Sequence, residues 1–145
     1  MDDVLGYEGK KVVVTGAASG MGAATAALLV DLGAEVHTLD IQSTELAGAT
    51  ARQADLKAPD SIDAAVAEIG ADVQAVFSVA GLPGPPFSDL ETMTVFEAIA
   101  GKEIIDAFVG PSGRRCVAEE QAWPLLFLNS PRLTYVAAGA LHVDG

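Results

Sequence analysis

The sequence predicts an α/β chain built as a doubly wound parallel sheet, on three observations. Short β-branched and apolar runs alternate with alanine- and leucine-rich helical stretches over residues 11–79, the pattern of successive βαβ units with right-handed crossovers. The first run, Lys11 to Thr15, is nearly all apolar, which suits a strand covered on both faces. It stops at the turn Gly16-Ala17-Ala18-Ser19-Gly20-Met21-Gly22, which opens directly into a helix.

The elements follow in order. Residues 1–10 read as a polar lead-in with Asp2, Asp3 and Glu8. After strand 1 and the glycine turn, a helix runs from about Gly20 to Leu32, with Ala24, Leu28 and Leu32 on one face and Gly33 as its stop. Strand 2 is Glu35 to Leu39, ending at Asp40. A third strand spans Ala49 to Ala54 and ends at Asp55-Leu56. Pro59-Asp60-Ser61 opens a second helix whose stripe is Ile62, Val66 and Ile69, and Gly70 stops it. Strand 4 is Val73 to Val79, leading to Ala80-Gly81. Leu82-Pro83-Gly84-Pro85-Pro86 breaks regular structure. Ser88-x-x-Glu91 is a capping box for a helix reaching about Ala100. Lys102 to Ala107 reads as a short helix, Gly110 to Arg115 as a loop, and Ala118 to Leu128 as a helix with Pro124 inside it, broken by Ser130-Pro131. Tyr135 to Val143 is a last apolar strand.

Composition narrows the function classes. A chain of 145 residues is about one domain, and no segment approaches the roughly 18 apolar residues of a membrane span. No leader pattern opens the chain, and a single Cys116 excludes an internal disulfide and a multi-cysteine zinc site. Both point to a reducing, cytoplasmic setting. The net charge of −12, with scattered basic residues, argues against nucleic acid as partner.

The glycine turn is where chemistry concentrates. A turn between a strand and a helix N-terminus offers backbone N–H groups and the positive end of the helix dipole to a phosphate. Gly16, Gly20 and Gly22 let the chain bend and let an anion approach. Asp40 follows Gly22 by 18 positions (40 − 22), at the end of strand 2. A carboxylate placed there accepts hydrogen bonds from an adenosine ribose diol and repels a 2′-phosphate. The pairing favours NAD over NADP, and no Arg follows Asp40.

TGAASGMG (Thr15 to Gly22), LDI (Leu39 to Ile41), ADL (Ala54 to Leu56) and VAG (Val79 to Gly81) resemble the short-chain dehydrogenase/reductase family. SVAGLPGPPFSDLETMTV is similar to its hydroxysteroid and coniferyl-alcohol dehydrogenase-like members, and the segment from Gly113-Arg114-Arg115 through FLNSP to TYVAAGALHVDG resembles the family's C-terminal end. The resemblance implies a Rossmann-like fold of strand order 3-2-1-4 plus one C-terminal strand. It implies that Ser19 and Met21 meet the pyrophosphate, that Asp40 and Ile41 hold ribose and adenine, that Asp55 and Leu56 flank the adenine, and that Ala80 and Gly81 lie along the nicotinamide ribose. The family usually carries Asn-Asn-Ala-Gly at the last of these motifs; here Ser78 and Val79 stand at the asparagine positions. The resemblance further implies an alcohol or ketone substrate, steroid-like or aromatic, and a homodimer through the last helix and strand.

The family's middle segment has no counterpart. Its catalytic Ser and its helix with Tyr-x-x-x-Lys do not appear, and Val95-Phe96 reads as the junction of an internal deletion. On that reading residues 1–145 form one truncated NAD-binding domain, 1–95 matching the family's N-terminal half and 96–145 its end. Tyr7-x-x-x-Lys11 matches by spacing alone, before strand 1. Tyr135 reads as a packing residue, His37 and His142 as satisfied core histidines, Cys116 as structural or incidental, Arg114-Arg115 as a solvated or carboxylate-paired loop, and Trp123 with Phe127 as a core or subunit packing face. The expected chain binds NAD and no metal, has no assigned catalytic residue and turns over poorly or not at all. The rival expectations are a non-catalytic nucleotide-binding or regulatory module, and a deleted or minimised fold without activity.

Overall fold

In a computed structural model, residues 3–81, 112, 114, 116–134, 141 and 143 are described. Their elements run β1 (Lys11–Thr15), α1 (Gly20–Asp31), β2 (Glu35–Asp40), β3 (Ala49–Gln53), α2 (Pro59–Ile69), β4 (Ala75–Ser78) and α3 (Ala118–Leu128). The sheet is parallel throughout, in the order β3-β2-β1-β4. This is the α/β Rossmann-like arrangement expected, with the predicted strand order. The predicted loop at 82–86, the helices around 88–100 and 102–107, the last strand and the 95/96 junction lie outside the described residues.

The chain divides into two units, residues 1–80 with 118–141 and residues 81–117 with 142–145. The first holds every described element. Val12 and Val14 of β1 are fully buried on one face with Ala26, Leu29, Val36, Phe77 and Leu126. Val13 faces the other way, with Leu39, Ala54, Ala65 and Ile69. The central strand is thus covered on both sides, as its unbroken apolar run requires.

Several expectations change in detail. In α1 the residues most buried are Gly22, Thr25, Ala26 and Leu29, whereas Ala24 and Leu28 are half-buried. The helix packs against both the sheet and α3, so its covered face is wider than one stripe and uses small residues. In α2, Ala65 and Ile69 are buried while Val66 is exposed. β4 is shorter than the apolar run around it, and Val76 is exposed because β4 is an outer strand among the described residues. No helix joins β2 to β3. A loop over 41–48 makes that crossover, though parallel pairs usually use a dozen or more residues.

The lead-in is more than polar. Tyr7 is completely buried, and its hydroxyl donates to the Leu126 carbonyl at 2.7 Å. The Asp3 carboxylate accepts the N–H groups of Gly6, Tyr7 and Glu8, and Ser130 Oγ donates to the Leu5 carbonyl at 2.6 Å. These bonds fasten the first residues to the end of α3.

Candidate functional site: the carboxyl edge of the sheet

All four strands point the same way, so the segments leaving β1, β2, β3 and β4 emerge at one edge. Ligands of open α/β sheets sit at this edge, where the strand order reverses about β1.

The turn after β1 is shaped by backbone proximity. Gly16 has φ +72°, and a Cβ there would lie 2.6 Å from the Ala80 Cα. A Cβ on Gly22 would lie 2.0 Å from the Gly16 carbonyl oxygen. The first glycine therefore lets the ends of β1 and β4 touch, and the last lets α1 start directly on the turn. At Gly20 a Cβ would meet nothing within 4 Å, so the turn is open where a ligand would approach.

The N-terminus of α1 is electrostatically vacant. Ser19 is its N-cap in an extended conformation, its hydroxyl makes no capping bond, and the first turn carries no acidic residue. Helix N-termini leave four N–H groups without intrahelical partners. Here they carry the positive end of the dipole with no acidic side chain in the helix's own first turn. This arrangement fits a pyrophosphate.

Asp40 ends β2 and ties it to the turn. Its Oδ2 accepts the Ala18 N–H at 2.9 Å and its Oδ1 the Gln42 N–H at 2.9 Å. Beside them the Gly16 N–H donates to the Leu39 carbonyl at 2.8 Å. A carboxylate has about four acceptor positions, so Asp40 keeps capacity for a diol. Past β3, the Ala54 N–H donates to the Asp40 carbonyl at 2.8 Å, the Asp55 N–H to Ser61 Oγ at 3.0 Å, and the Lys57 N–H to Asp55 Oδ1 at 2.9 Å. Met21, Ile41 and Leu56, on three neighbouring segments of this edge, are exposed apolar side chains. They offer the kind of surface a purine ring covers. Gly81 follows Ala80 in the chain and begins the second unit.

Thr15 was not among the expected site residues. It is buried, and its Oγ1 accepts the N–H groups of Val79 and Ala80, both at 3.2 Å. It fixes the exit of β4 against the glycine turn. The signal was a hydroxyl closing an apolar run immediately before the first glycine.

The Tyr7 and Lys11 pair serves structure. Burial pushes the Tyr7 phenol well above its usual 10.0, and its hydroxyl is engaged by Leu126. Lys11 Nζ reaches the Ile69 and Ala71 carbonyls at 3.4 and 3.3 Å, a cation at the C-terminal end of α2. Both lie at the amino end of β1, away from the glycine turn. His37 is buried in mid-strand, its Nε2 3.0 Å from Glu35 Oε1. That bond, reinforced by Lys11, holds the Glu35 carboxyl below the usual range. His37 Nδ1 has no hydrogen-bond partner among the described residues, so the core histidine is only half satisfied. Trp123 and Phe127 are partly exposed and line an apolar groove of about 540 Å³ with Val4, Leu5, Leu32, Pro124 and Leu141. Cys116 is exposed; Arg115, Tyr135 and His142 lie outside the described residues. Among the described residues no cluster of metal-ligating side chains occurs, and no helix is long and apolar enough to cross a membrane.

The coniferyl-alcohol dehydrogenase of Pseudomonas sp. is 40% identical over 75 residues, covering 52% of this chain and 29% of that protein. The momilactone A synthase of Oryza sativa subsp. japonica is 34% identical over 119 residues, covering 70% of this chain and 42% of that protein. The chain thus matches less than half the length of either relative. The solved structure of hydroxysteroid dehydrogenase from Escherichia coli superposes with a TM-score of 0.64 at 17% identity, over 93% of this chain and 95% of that one, which shows a shared fold. The family profile described as short chain dehydrogenase matches residues 10–101, from the start of β1 past the exit of β4. With that match over most of its length, the chain belongs to the short-chain dehydrogenase family of oxidoreductases.

Proposed function

We propose that this chain binds NAD along the carboxyl edge of its sheet and that, as it stands, it is impaired as a catalyst. The observation that carries the reading is the joint geometry of turn and carboxylate. The α1 N-terminus is open at Gly20 and has no acidic residue in its own first turn, and Asp40 is fixed beside it through the Ala18 N–H. Gly16, Ser19, Gly20, Met21 and Gly22 would hold the pyrophosphate. Asp40 and Ile41 would take the adenosine ribose and adenine, Asp55 and Leu56 would border the adenine, and Ala80 and Gly81 would border the nicotinamide ribose. The bound cofactor supplies hydride exchange with an alcohol or ketone. A name among the relatives, coniferyl-alcohol dehydrogenase, supports an aromatic alcohol lineage.

Impairment follows from the proton. Oxidising an alcohol requires a group to take the hydroxyl proton, which a tyrosine does only when a cation lowers its pKa from about 10. The one Tyr-x-x-x-Lys of the sequence is Tyr7 to Lys11, and its phenol is buried, raised and bonded to Leu126. The described residues at the sheet edge bind; they offer no candidate to replace it. We read residues 1–145 as one NAD-binding domain with an internal deletion near Val95/Phe96, in a cytoplasmic setting that suits its single cysteine. The same scaffold serves equally as a non-catalytic nucleotide-binding module.

NADH fluorescence titration tests the binding claim. The intact chain is expected to saturate, and Asp40→Ala to weaken NADH by at least about tenfold, the equivalent of one lost charge-assisted hydrogen-bond pair. Absence of saturable binding would end both the oxidoreductase and the binding-module readings. Steady turnover of a secondary alcohol at an ordinary enzymatic rate would end the claim of impairment. The partly exposed Trp123 and Phe127 on α3 also support a homodimer through the chain's last helix. Sedimentation equilibrium should then give a dimer that Trp123→Ser weakens, and a monomer at all concentrations rejects it.

A further inference from the structure

Beside the glycine turn lies a second feature, a narrow cleft of about 160 Å³ lined by Ala17, Ala18 and Ala23 on one side and Ser43, Thr44, Glu45 and Leu46 on the other. One wall is the turn and the start of α1. The other is the loop that replaces a crossover helix between β2 and β3. We propose that Glu45 is a specificity-determining residue, a fixed negative charge that excludes a 2′-phosphorylated dinucleotide from this cleft. The inference rests on the NAD reading above and assigns it a residue besides Asp40.

Three contacts make the wall a defined structure. Thr44 Oγ1 is 2.7 Å from Thr38 Oγ1, and Thr38 is almost completely buried in β2. Leu46 packs against the main apolar core. Gly48 lies so close to α1 that a Cβ would come 2.8 Å from Val30 Cγ1. Glu45 sits in sequence between the first two anchors and is an exposed residue lining the cleft opposite Ala18, whose N–H the Asp40 carboxylate already holds. One carboxylate, Glu45, therefore belongs to the lining on an anchored loop, and a second, Asp40, is bonded to a lining residue, Ala18.

No Lys or Arg occurs between Lys11 and Arg52. Arg52 is engaged elsewhere, with Nη1 3.0 Å from Glu68 Oε2. A 2′-phosphate on a ribose held at Asp40 would carry close to two negative charges into this cleft and meet no cation from these segments. A diol carries none and is not penalised. Removing Asp40 alone would therefore leave the second carboxylate in place.

The test is competition between NADH and NADPH, read as the ratio of their dissociation constants. In a water-like medium, one charge against a phosphate dianion within roughly one Debye length gives about a fivefold effect at low salt. Glu45→Gln should shift the ratio toward NADPH by about that factor. Glu45→Lys should shift it further, and both shifts should shrink in about 1 M salt as screening sets in. In the Asp40→Ser background, adding Glu45→Gln should give a further gain for NADPH. If both Glu45 variants bind NADH with the wild-type NADH/NADPH ratio, the role of Glu45 is wrong and the NAD reading stands. If the wild-type chain binds neither dinucleotide, both fall.

Discussion

At the scale of single residues, the candidate site is built from close approaches that only certain side chains allow. Gly16 combines a left-handed backbone with a Cβ position inside van der Waals contact of Ala80. Gly16→Ala therefore adds backbone strain to a steric collision that neither strand end can relieve without moving. The expected loss of stability by urea denaturation is about 2–4 kcal/mol, with NADH binding lost in whatever folded chain remains. A loss below about 0.5 kcal/mol would mean that the two strand ends do not meet as described. Much at this scale was legible in the sequence. The three glycines and Asp40 announced themselves by spacing, because each satisfies a backbone requirement that recurs wherever a strand feeds a helix at a phosphate. Thr15, Thr44 and Glu45 were not legible. Their roles depend on which segments the fold brings together: Thr15 needs the exit of β4 beside it, and Glu45 needs the β2–β3 loop pressed against the turn.

At the scale of elements, β1, β2, α2 and α3 were readable because apolar runs, Pro59, Gly70 and Ser130-Pro131 mark their bounds. What single-helix periodicity missed was which face each helix covers. α1 lies between the sheet and α3, so Ala26 and Leu29 are buried more deeply than Leu28. Tyr7 was missed for a similar reason. Its immediate neighbours, Gly6 and Glu8, give no apolar pattern, and it is buried by residues far away in sequence, Phe77 of β4 and Leu126 of α3. The link between lead-in and α3 makes a prediction. Tyr7→Phe keeps the ring and strands the Leu126 carbonyl without its donor, at a cost of about 1–3 kcal/mol. Linkage gives the pH dependence. The folded-state pKa is raised above the unfolded 10.0, so the stabilising contribution is complete below pH 10 and is lost progressively as pH rises above it. Denaturation midpoints measured from pH 8 to 11 should fall at the alkaline end for wild type and fall less for Tyr7→Phe. Parallel curves would show that Tyr7 ionises freely in the folded state.

At the scale of the whole molecule, the sheet places every candidate binding segment on one edge and leaves the opposite edge to structural contacts such as Tyr7 and Lys11. On the proposed reading, that division makes membership of an oxidoreductase family compatible with weak catalysis. The residues proposed to position a dinucleotide come from the strand ends, whereas by the family resemblance the proton-transferring tyrosine belongs to a segment without counterpart in this sequence. The fold class could be read in advance because the βα alternation is local, whereas the strand order came from the family resemblance. The nature of the β2–β3 crossover could not, since a loop that docks on a helix leaves no periodicity. The central claim is that NAD occupies the carboxyl edge at the glycine turn. Amide chemical-shift mapping of the 15N-labelled chain during an NAD titration tests it most directly. The expected result is a saturable response at Ser19 to Gly22, Asp40 to Gln42, Asp55-Leu56 and Ala80-Gly81, with Tyr7, Lys11 and Trp123 unmoved. Saturation confined to α3 and the lead-in, or no response at the glycine turn with NAD in excess, would contradict it.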